Sequence, residues 1–346
     1  MQRLRFEISE QPEVLRRHVT SPQARLLEIA TSVREAPPRA VVLAARGSSG
    51  HAAAYGRYLF EVRNRVLTAH ATPSAFTVYE RGPDLGGTLV IGVSQSGRGE
   101  DVLAVVQAGR SAGARTVAIV NDVHSPLAGA ADWVIDCAAG PEVCVPATKS
   151  VAAQMMLLAQ LSDAWPGEAE EDVASLGRVP EAVAQALTRE GEARSLAGRL
   201  AHVAHLSIVG RGFVLPVAFE LALKLEEMAR IHASAYSSAE FLHGPVTLVG
   251  PAHRVLVLDA GGRGSAQALE LARNVARRGA EAYLVRAGRF EGFRDAPALA
   301  HPCDVDEHHA PMVVLALGQL LALELAAARG LDPEHPPGLR KVTSTR

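Results

Sequence analysis

A short string recurs at a fixed interval along this chain, and the interval constrains how it can fold. Ala45-Arg46-Gly47 and Gly210-Arg211-Gly212 stand 165 positions apart, and so do Ser94-Gln95-Ser96-Gly97 and Asp259-Ala260-Gly261-Gly262. Each closes a short apolar run and precedes a longer helical pattern. Two matched offsets in 346 residues predict an internal duplication. The apolar runs Ala40–Ala45, Phe76–Tyr79, Leu89–Val93, Thr116–Val120 and Trp133–Asp136 are rich in Val and Ile and read as strands, with helices near 51–63, 100–113 and 148–164. The second half repeats the scheme, with strands at Leu206–Val209, Arg254–Asp259 and Ala282–Arg286 and helices at 216–231, 265–278 and 309–329. Strands alternating with helices imply parallel sheets with helices on both faces. The expected fold is therefore α/β, with two doubly wound parallel-sheet domains. The expected boundaries are a helical extension at 1–34, a first domain at 35–165, a linker at 166–195 carrying Pro166, Gly167 and Pro180, and a second domain at 196–346.

Charge and composition exclude several function classes. The formal net charge is -2, which does not make a basic surface for nucleic acid. Three cysteines, Cys137, Cys144 and Cys303, form no disulfide framework and no Cys-x-x-Cys metal spacing. The first residues, MQRLRFEISEQPEVL, are charged and lack the apolar core of a signal peptide. The run 312–329 is apolar but carries Gln319, Glu324 and Arg329, so it reads as a buried helix and not a membrane span. A soluble, cytoplasmic protein is expected. His308-His309, with Asp304, Asp306 and Glu307 nearby, reads as a polar strand-to-helix loop, and no metal is expected. Gly210-Arg211-Gly212 lacks the full dinucleotide fingerprint, so no nicotinamide cofactor is expected. Cys144 has no neighbour in sequence that would activate a thiolate and reads as a packing residue.

The two halves carry different chemistry. Gly47-Ser48-Ser49-Gly50 and Ser94-Gln95-Ser96-Gly97 each lie between a strand and a helix. Both deliver hydroxyls, backbone N–H groups and a helix N-terminus to the carboxyl edge of a parallel sheet, where ligands bind and phosphate is favoured. The second-half counterpart of the SQSG turn contains Asp259, whose charge would repel a phosphate. The first half thus reads as a phosphate grip. The second reads as the source of catalytic groups. Glu220, Lys224 and Glu227 follow at spacings of four and three on one helix face, and His243 comes sixteen residues after Glu227 in a turn ending Gly244-Pro245. A carboxylate, an ammonium and a nearby imidazole can move protons at neutral pH.

The ordered set of motifs resembles the tandem sugar-isomerase (SIS) family, of flavodoxin-like fold. It is most similar to the isomerase portion of glucosamine-6-phosphate synthases and to two-domain amino-sugar-phosphate deaminases. The resemblance rests on Gly47-Ser48-Ser49, Ser94-Gln95-Ser96-Gly97, the loop Ala139–Val143 leading to Ala147-Thr148-Lys149, Gly210-Arg211-Gly212, Ala222–Glu227, Glu240, His243-Gly244-Pro245 and the tail Leu339-Arg340-Lys341-Val342-Thr343, and so spans about residues 40–345. It implies a phosphate site at Ser94, Gln95 and Ser96 with Ser48 and Ser49. The family's usual Thr beyond this loop is Gly99 here, and Arg98 is the candidate to compensate with charge. The resemblance further implies that Glu227 is the catalytic carboxylate and that Lys224 lies beside it. It implies too that His243 opens the sugar ring from a neighbouring subunit of a homodimer, that Lys341 lies near the reactive carbons, and that Val145 and Ala147 touch the sugar, Ala147 standing where the family commonly has Ser.

One departure concerns the source of nitrogen. The synthase draws ammonia from glutamine in an N-terminal domain whose nucleophile is a cysteine after the initiator Met. Residue 2 here is Gln2, and about forty residues before the first strand hold no such domain. The expected reaction is conversion of glucosamine 6-phosphate to fructose 6-phosphate plus ammonia, or its reverse with free ammonia, without a cofactor. Two alternatives remain open at this point. One is a deglycase acting on a fructosamine 6-phosphate, and the other is a non-catalytic phosphosugar-binding regulator.

Overall fold

The computed structural model describes residues 1–166, 170–290 and 296–341, with the backbone alone at 170–173. Gly167, Val342 and Thr343, which figured in the sequence reading, lie outside the described residues. The chain opens with three helices, α1 (Gln2–Ser9), α2 (Gln11–Thr20) and α3 (Ala24–Glu35). The first sheet and its helices follow as β1 (Val41–Ala44), α4 (Gly47–Val62), β2 (Thr68–His70), α5 (Pro73–Thr77), β3 (Leu89–Ser94), α6 (Glu100–Ser111), β4 (Arg115–Val120), α7 (Pro126–Ala130), β5 (Trp133–Asp136) and α8 (Lys149–Ala164). Then come α9 (Glu170–Leu187), α10 (Glu190–Leu200), β6 (His205–Gly210), α11 (Leu215–Ala229), β7 (His232–Ser237), α12 (Ser238–Leu242), β8 (Arg254–Asp259), α13 (Ser265–Arg277), β9 (Glu281–Gly288), β10 (Ala298–Pro302) and α14 (Pro311–Ala328).

Two five-stranded sheets result, ordered β2-β1-β3-β4-β5 and β10-β9-β8-β6-β7, with every pairing parallel. In each, the chain leaves a central strand, β1 or β6, first to one side and then to the other. Parallel strands are joined by crossovers whose helices cover the sheet faces, which is why the strands of the sheet centre are apolar on both faces. β3 and β8 are buried along almost their whole length.

Three strands were not legible. β2, β7 and β10 are edge strands carrying polar residues such as His70, Ser237 and His301, and an edge needs less apolar surface than a centre. Phe76–Tyr79, expected as a strand, instead overlaps the helix α5. Pro73 occupies its first position with φ fixed for helix, and that local constraint overrides the β-propensity of Phe76, Val78 and Tyr79. The expected linker region holds α9 and α10.

The compact units are not plain halves of the sequence. The unit of the first sheet comprises Glu13–Val143, Lys149–Ala174 and the tail from Leu339. That of the second sheet comprises Met1–Pro12, Cys144–Thr148 and Ser175–Gly338. In the second unit, α14 is long and apolar enough to cross a membrane by composition, yet 89% of it is buried within the protein. Its polar residues are satisfied there: Glu324 pairs with Arg5 at 2.6 Å and Arg194 at 3.0 Å, and Gln319 bonds Gln11 at 2.8 Å. The buried Glu7 of α1 accepts the Cys144 N–H at 3.3 Å, and Gln319 donates to the Thr148 carbonyl at 3.4 Å. These bonds fix Val145 and Ala147 in the second unit, although neither residue adjoins that unit in sequence.

Candidate active site

In the first unit, two loops meet the carboxyl edge of the sheet at its switch point. β1 ends at Ala44, and Arg46, in extended conformation, leads into α4, whose first turn contains Gly47, Ser48 and Ser49. β3 ends at Ser94, and Gln95–Gly99 lead into α6. Gly97 has φ +61°, and a Cβ there would sit 2.0 Å from Ser125 Oγ, so only glycine closes this turn. The turn is fastened by Ser94 Oγ, which accepts the Gly97 N–H at 3.1 Å, and by Ser96 Oγ, which accepts that of Arg98 at 3.4 Å. Ser48, Ser49, Ser94, Gln95 and Ser96 are all half-buried. Among the described residues no side-chain hydrogen bond engages Ser48, Ser49 or Gln95. Their polar groups, with the N–H groups of two helix starts, form a neutral donor set suited to an anion. Arg98, the candidate substitute for the missing threonine, is exposed and bonds Asp122 at 3.1 Å.

The same unit contains Lys341. Its ammonium donates to Glu142 Oε2 at 2.8 Å. Glu142 also accepts the N–H of Ser150 at 3.0 Å and its hydroxyl at 2.6 Å. Burial pushes the Glu142 carboxyl upward, but the Lys341 charge and the Ser150 bonds outweigh it and hold the group below its ordinary value. Glu142 had entered the sequence reading only as part of a loop motif. Nothing local marked it as the anchor of a residue 199 positions away.

In the second unit, α11 presents Glu220, Lys224 and Glu227 as one row. Lys224 is 1% exposed, lies 3.6 Å from Glu220 Oε1 and donates a short hydrogen bond to Glu227 Oε2. Glu220 is buried, whereas the Glu227 side chain keeps 16% of its surface. The arrangement follows from i, i+4 and i, i+3 spacing on a helix whose Leu221, Ala222, Leu225 and Met228 pack into the core. The helix stops at Arg230, which adopts left-handed φ +52°. His243 lies in the turn after α12, exposed, with its N–H bonded to the Glu240 carbonyl at 3.0 Å. No hydrogen bond or ion pair among the described residues joins its ring to Glu227 or Lys224. The structure thus brings Lys224 and Glu227 together but not His243.

The expected repulsion by Asp259 does not hold. Arg286 bonds its Oδ2 at 2.9 and 2.8 Å, with both side chains at most 2% exposed. Its Oδ1 accepts the Gly261 N–H at 2.9 Å and the Ser265 hydroxyl at 2.6 Å. The charge is neutralised within the fold. What sets the two sheets apart is the loss of hydroxyls: Phe213 and Val214 stand where the first half has Ser48 and Ser49.

The SIS domain profile matches twice, at residues 36–163 and 199–328. Over 340 residues the chain is 33% identical to the isomerizing glutamine–fructose-6-phosphate aminotransferase of Methanothermobacter thermautotrophicus, covering 98% of this chain and 56% of that protein. It spans about half the length of the curated relatives it matches. Among solved structures, a proposed phosphosugar isomerase from Silicibacter pomeroyi shares 33% identity with a TM-score of 0.88, over 96% of this chain and 99% of that one. The C-terminal domain of glucosamine-fructose-6-phosphate aminotransferase from Francisella tularensis gives 25% and 0.84, over 96% and 98%.

Proposed function

We propose a function on the premise that this chain belongs to the SIS domain family: it is a phosphosugar isomerase, and its substrate is a 2-amino-sugar 6-phosphate. The phosphate would accept hydrogen bonds from Ser48, Ser49, Gln95 and Ser96. His243 would open the ring. Glu227, steadied by Lys224, would carry the C2 proton to C1, turning the amino-aldose into a C2 imine. Water would then release ammonia and leave the ketose, so that glucosamine 6-phosphate plus water gives fructose 6-phosphate plus ammonia. Lys341, held by Glu142, would serve the sugar end, and Val145 and Ala147 would border it. The active form would be a homodimer in which each chain lends its His243 to the other. The exposed Leu242 and Leu248 beside that turn are consistent with a covered surface.

The observation that carries the reading is the Glu220–Lys224–Glu227 row. Burying an ammonium and carboxylates costs several kcal/mol per ion, and apolar residues of similar size would stabilise the helix as well or better. A lysine buried in this way, leaving one carboxylate open to solvent, suits proton transfer more than packing. The names of the relatives support the sugar phosphate.

Incubation with glucosamine 6-phosphate, following ammonia and fructose 6-phosphate together, tests the reading. Equimolar appearance of both is the expected result. Ammonia-free interconversion of fructose and glucose 6-phosphates would keep the isomerase and remove the amino sugar. Inertness towards both would overturn the proposal.

A further inference from the structure

The second sheet has a switch point of its own, between β6 and β8, and a cavity of about 260 Å³ lies at their carboxyl ends. Its lining includes Arg211, Phe213, Asp259, Arg263, Gln267 and Glu307. Open α/β sheets bind ligands at this position.

The backbone there repeats that of the first sheet. Arg46 and Arg211 are both extended and precede Gly47 and Gly212, with φ +53° and +63°. Gly97 and Gly262 have φ +61° and +69°, and Arg98 and Arg263 follow them. Two arginines therefore recur in place, but their partners do not. In the first unit Arg46 bonds Asp101 at 2.5 Å and Arg98 bonds Asp122 at 3.1 Å. Asp101 is the second residue of α6, and the second residue of α13 is Ala266. Asp122 stands two residues beyond Val120, the strand partner of Ser94. Two beyond Arg286, the partner of Asp259, is Gly288. Both carboxylates are missing. Arg211 retains one long contact with Ser238 Oγ at 3.4 Å, and among the described residues the Arg263 side chain has neither ion pair nor hydrogen bond. Asp259 is neutralised by Arg286; Glu307 accepts the backbone N–H of Arg263 and keeps its charge, so one carboxylate at the cavity stands against two guanidinium groups.

We infer that this cavity binds a small organic oxyanion, a carboxylate or phosphate on a short apolar body, as a second ligand site of the chain. Guanidinium groups bind such oxyanions through paired, charge-assisted hydrogen bonds. Phe213 and Val214 stand where the first sheet has hydroxyls and, with Ala268, supply an apolar wall, so a polyhydroxylated sugar is poorly matched. The inference stands whether or not the amino-sugar reading holds.

Calorimetric titration with phenyl phosphate and with benzoate tests it. Binding of at least one probe is expected to persist in Ser48→Ala/Ser96→Ala and to weaken roughly tenfold or more in Arg211→Ala/Arg263→Ala. Ala266→Asp, which restores a carboxylate at the place of Asp101 and removes no arginine, should weaken it similarly. If thermal melting shows the double arginine variant unfolded, Ala266→Asp decides. Binding of benzoate assigns a carboxylate ligand, and binding of phenyl phosphate alone assigns a phosphate. Absence of binding at millimolar concentrations of either probe overturns the site. So does binding that the arginine and aspartate substitutions leave unchanged.

Discussion

Lys224 shows how one side chain can be structural and chemical together. It is enclosed, with Glu220 on one side and Glu227 on the other. Replacing it by Ala takes the ammonium away from buried Glu220 and should cost about 3–5 kcal/mol in urea unfolding, as for other broken buried pairs. Glu227→Gln keeps shape and an oxygen that can accept from Lys224, but takes one of the two carboxylates from the buried ammonium and leaves Glu220 as its counter-ion. Its unfolding midpoint should fall less than that of Lys224→Ala while kcat falls by about 10²–10⁴. Near wild-type turnover in that variant would take Glu227 out of the proposed mechanism. Glu142 works differently. Its carboxyl is held below the ordinary value, so the bond to Lys341 contributes stability in full above the usual 4.5 and loses it as pH falls through the lowered value. Amide hydrogen exchange over 339–341, corrected for its intrinsic pH dependence, should therefore rise on acidification below that range. In Glu142→Gln it should already be high at neutral pH. A tail equally protected in both proteins would show that the bond does not anchor it.

At the scale of elements, loops at the two switch points share a backbone and differ in what they offer. The glycines at positive φ fix that backbone, while the residues between them are free to change. In the first sheet these are hydroxyls, and Ser96→Ala should raise KM for a phosphorylated sugar by about tenfold, the worth of one hydrogen bond to a charged group, with little change in kcat. An unphosphorylated sugar should show no such change, and a KM rise for both would point to loop distortion instead. In the second sheet Gly261 admits no side chain, because a Cβ there would come within 2.7 Å of the Arg289 carbonyl.

For the whole molecule, the proposal that His243 acts across a dimer has a numerical consequence. Inactive Glu227→Gln and His243→Ala chains, mixed and allowed to exchange, should form dimers of which about half are mixed. Each mixed dimer would contain one intact site of two, so activity should return to about a quarter of wild type. If mass spectrometry shows exchange and no activity returns, His243 acts within its own chain or not at all.

The sequence by itself determined the duplication, the central strands and the row on α11. These depend on local periodicity and on spacing along one helix, which a linear reading captures. It also marked the serine loops, since a strand, a glycine turn and a helix follow in order. The tertiary structure alone decided three of the four edge strands, β2, β7 and β10, whose polar residues are held by pairing and not by their own pattern. It decided that α5 is a helix, that Glu142 anchors Lys341, and that the Cys144–Thr148 loop is fastened by Glu7 and Gln319. It also decided that Asp259 is neutral to a visiting anion, because Arg286 reaches it from the neighbouring strand. The physical reason is common to all of these. Burial makes an ion pair or hydrogen bond obligatory but leaves the partner's place in the chain unspecified, and only the packed fold selects which distant residue supplies it.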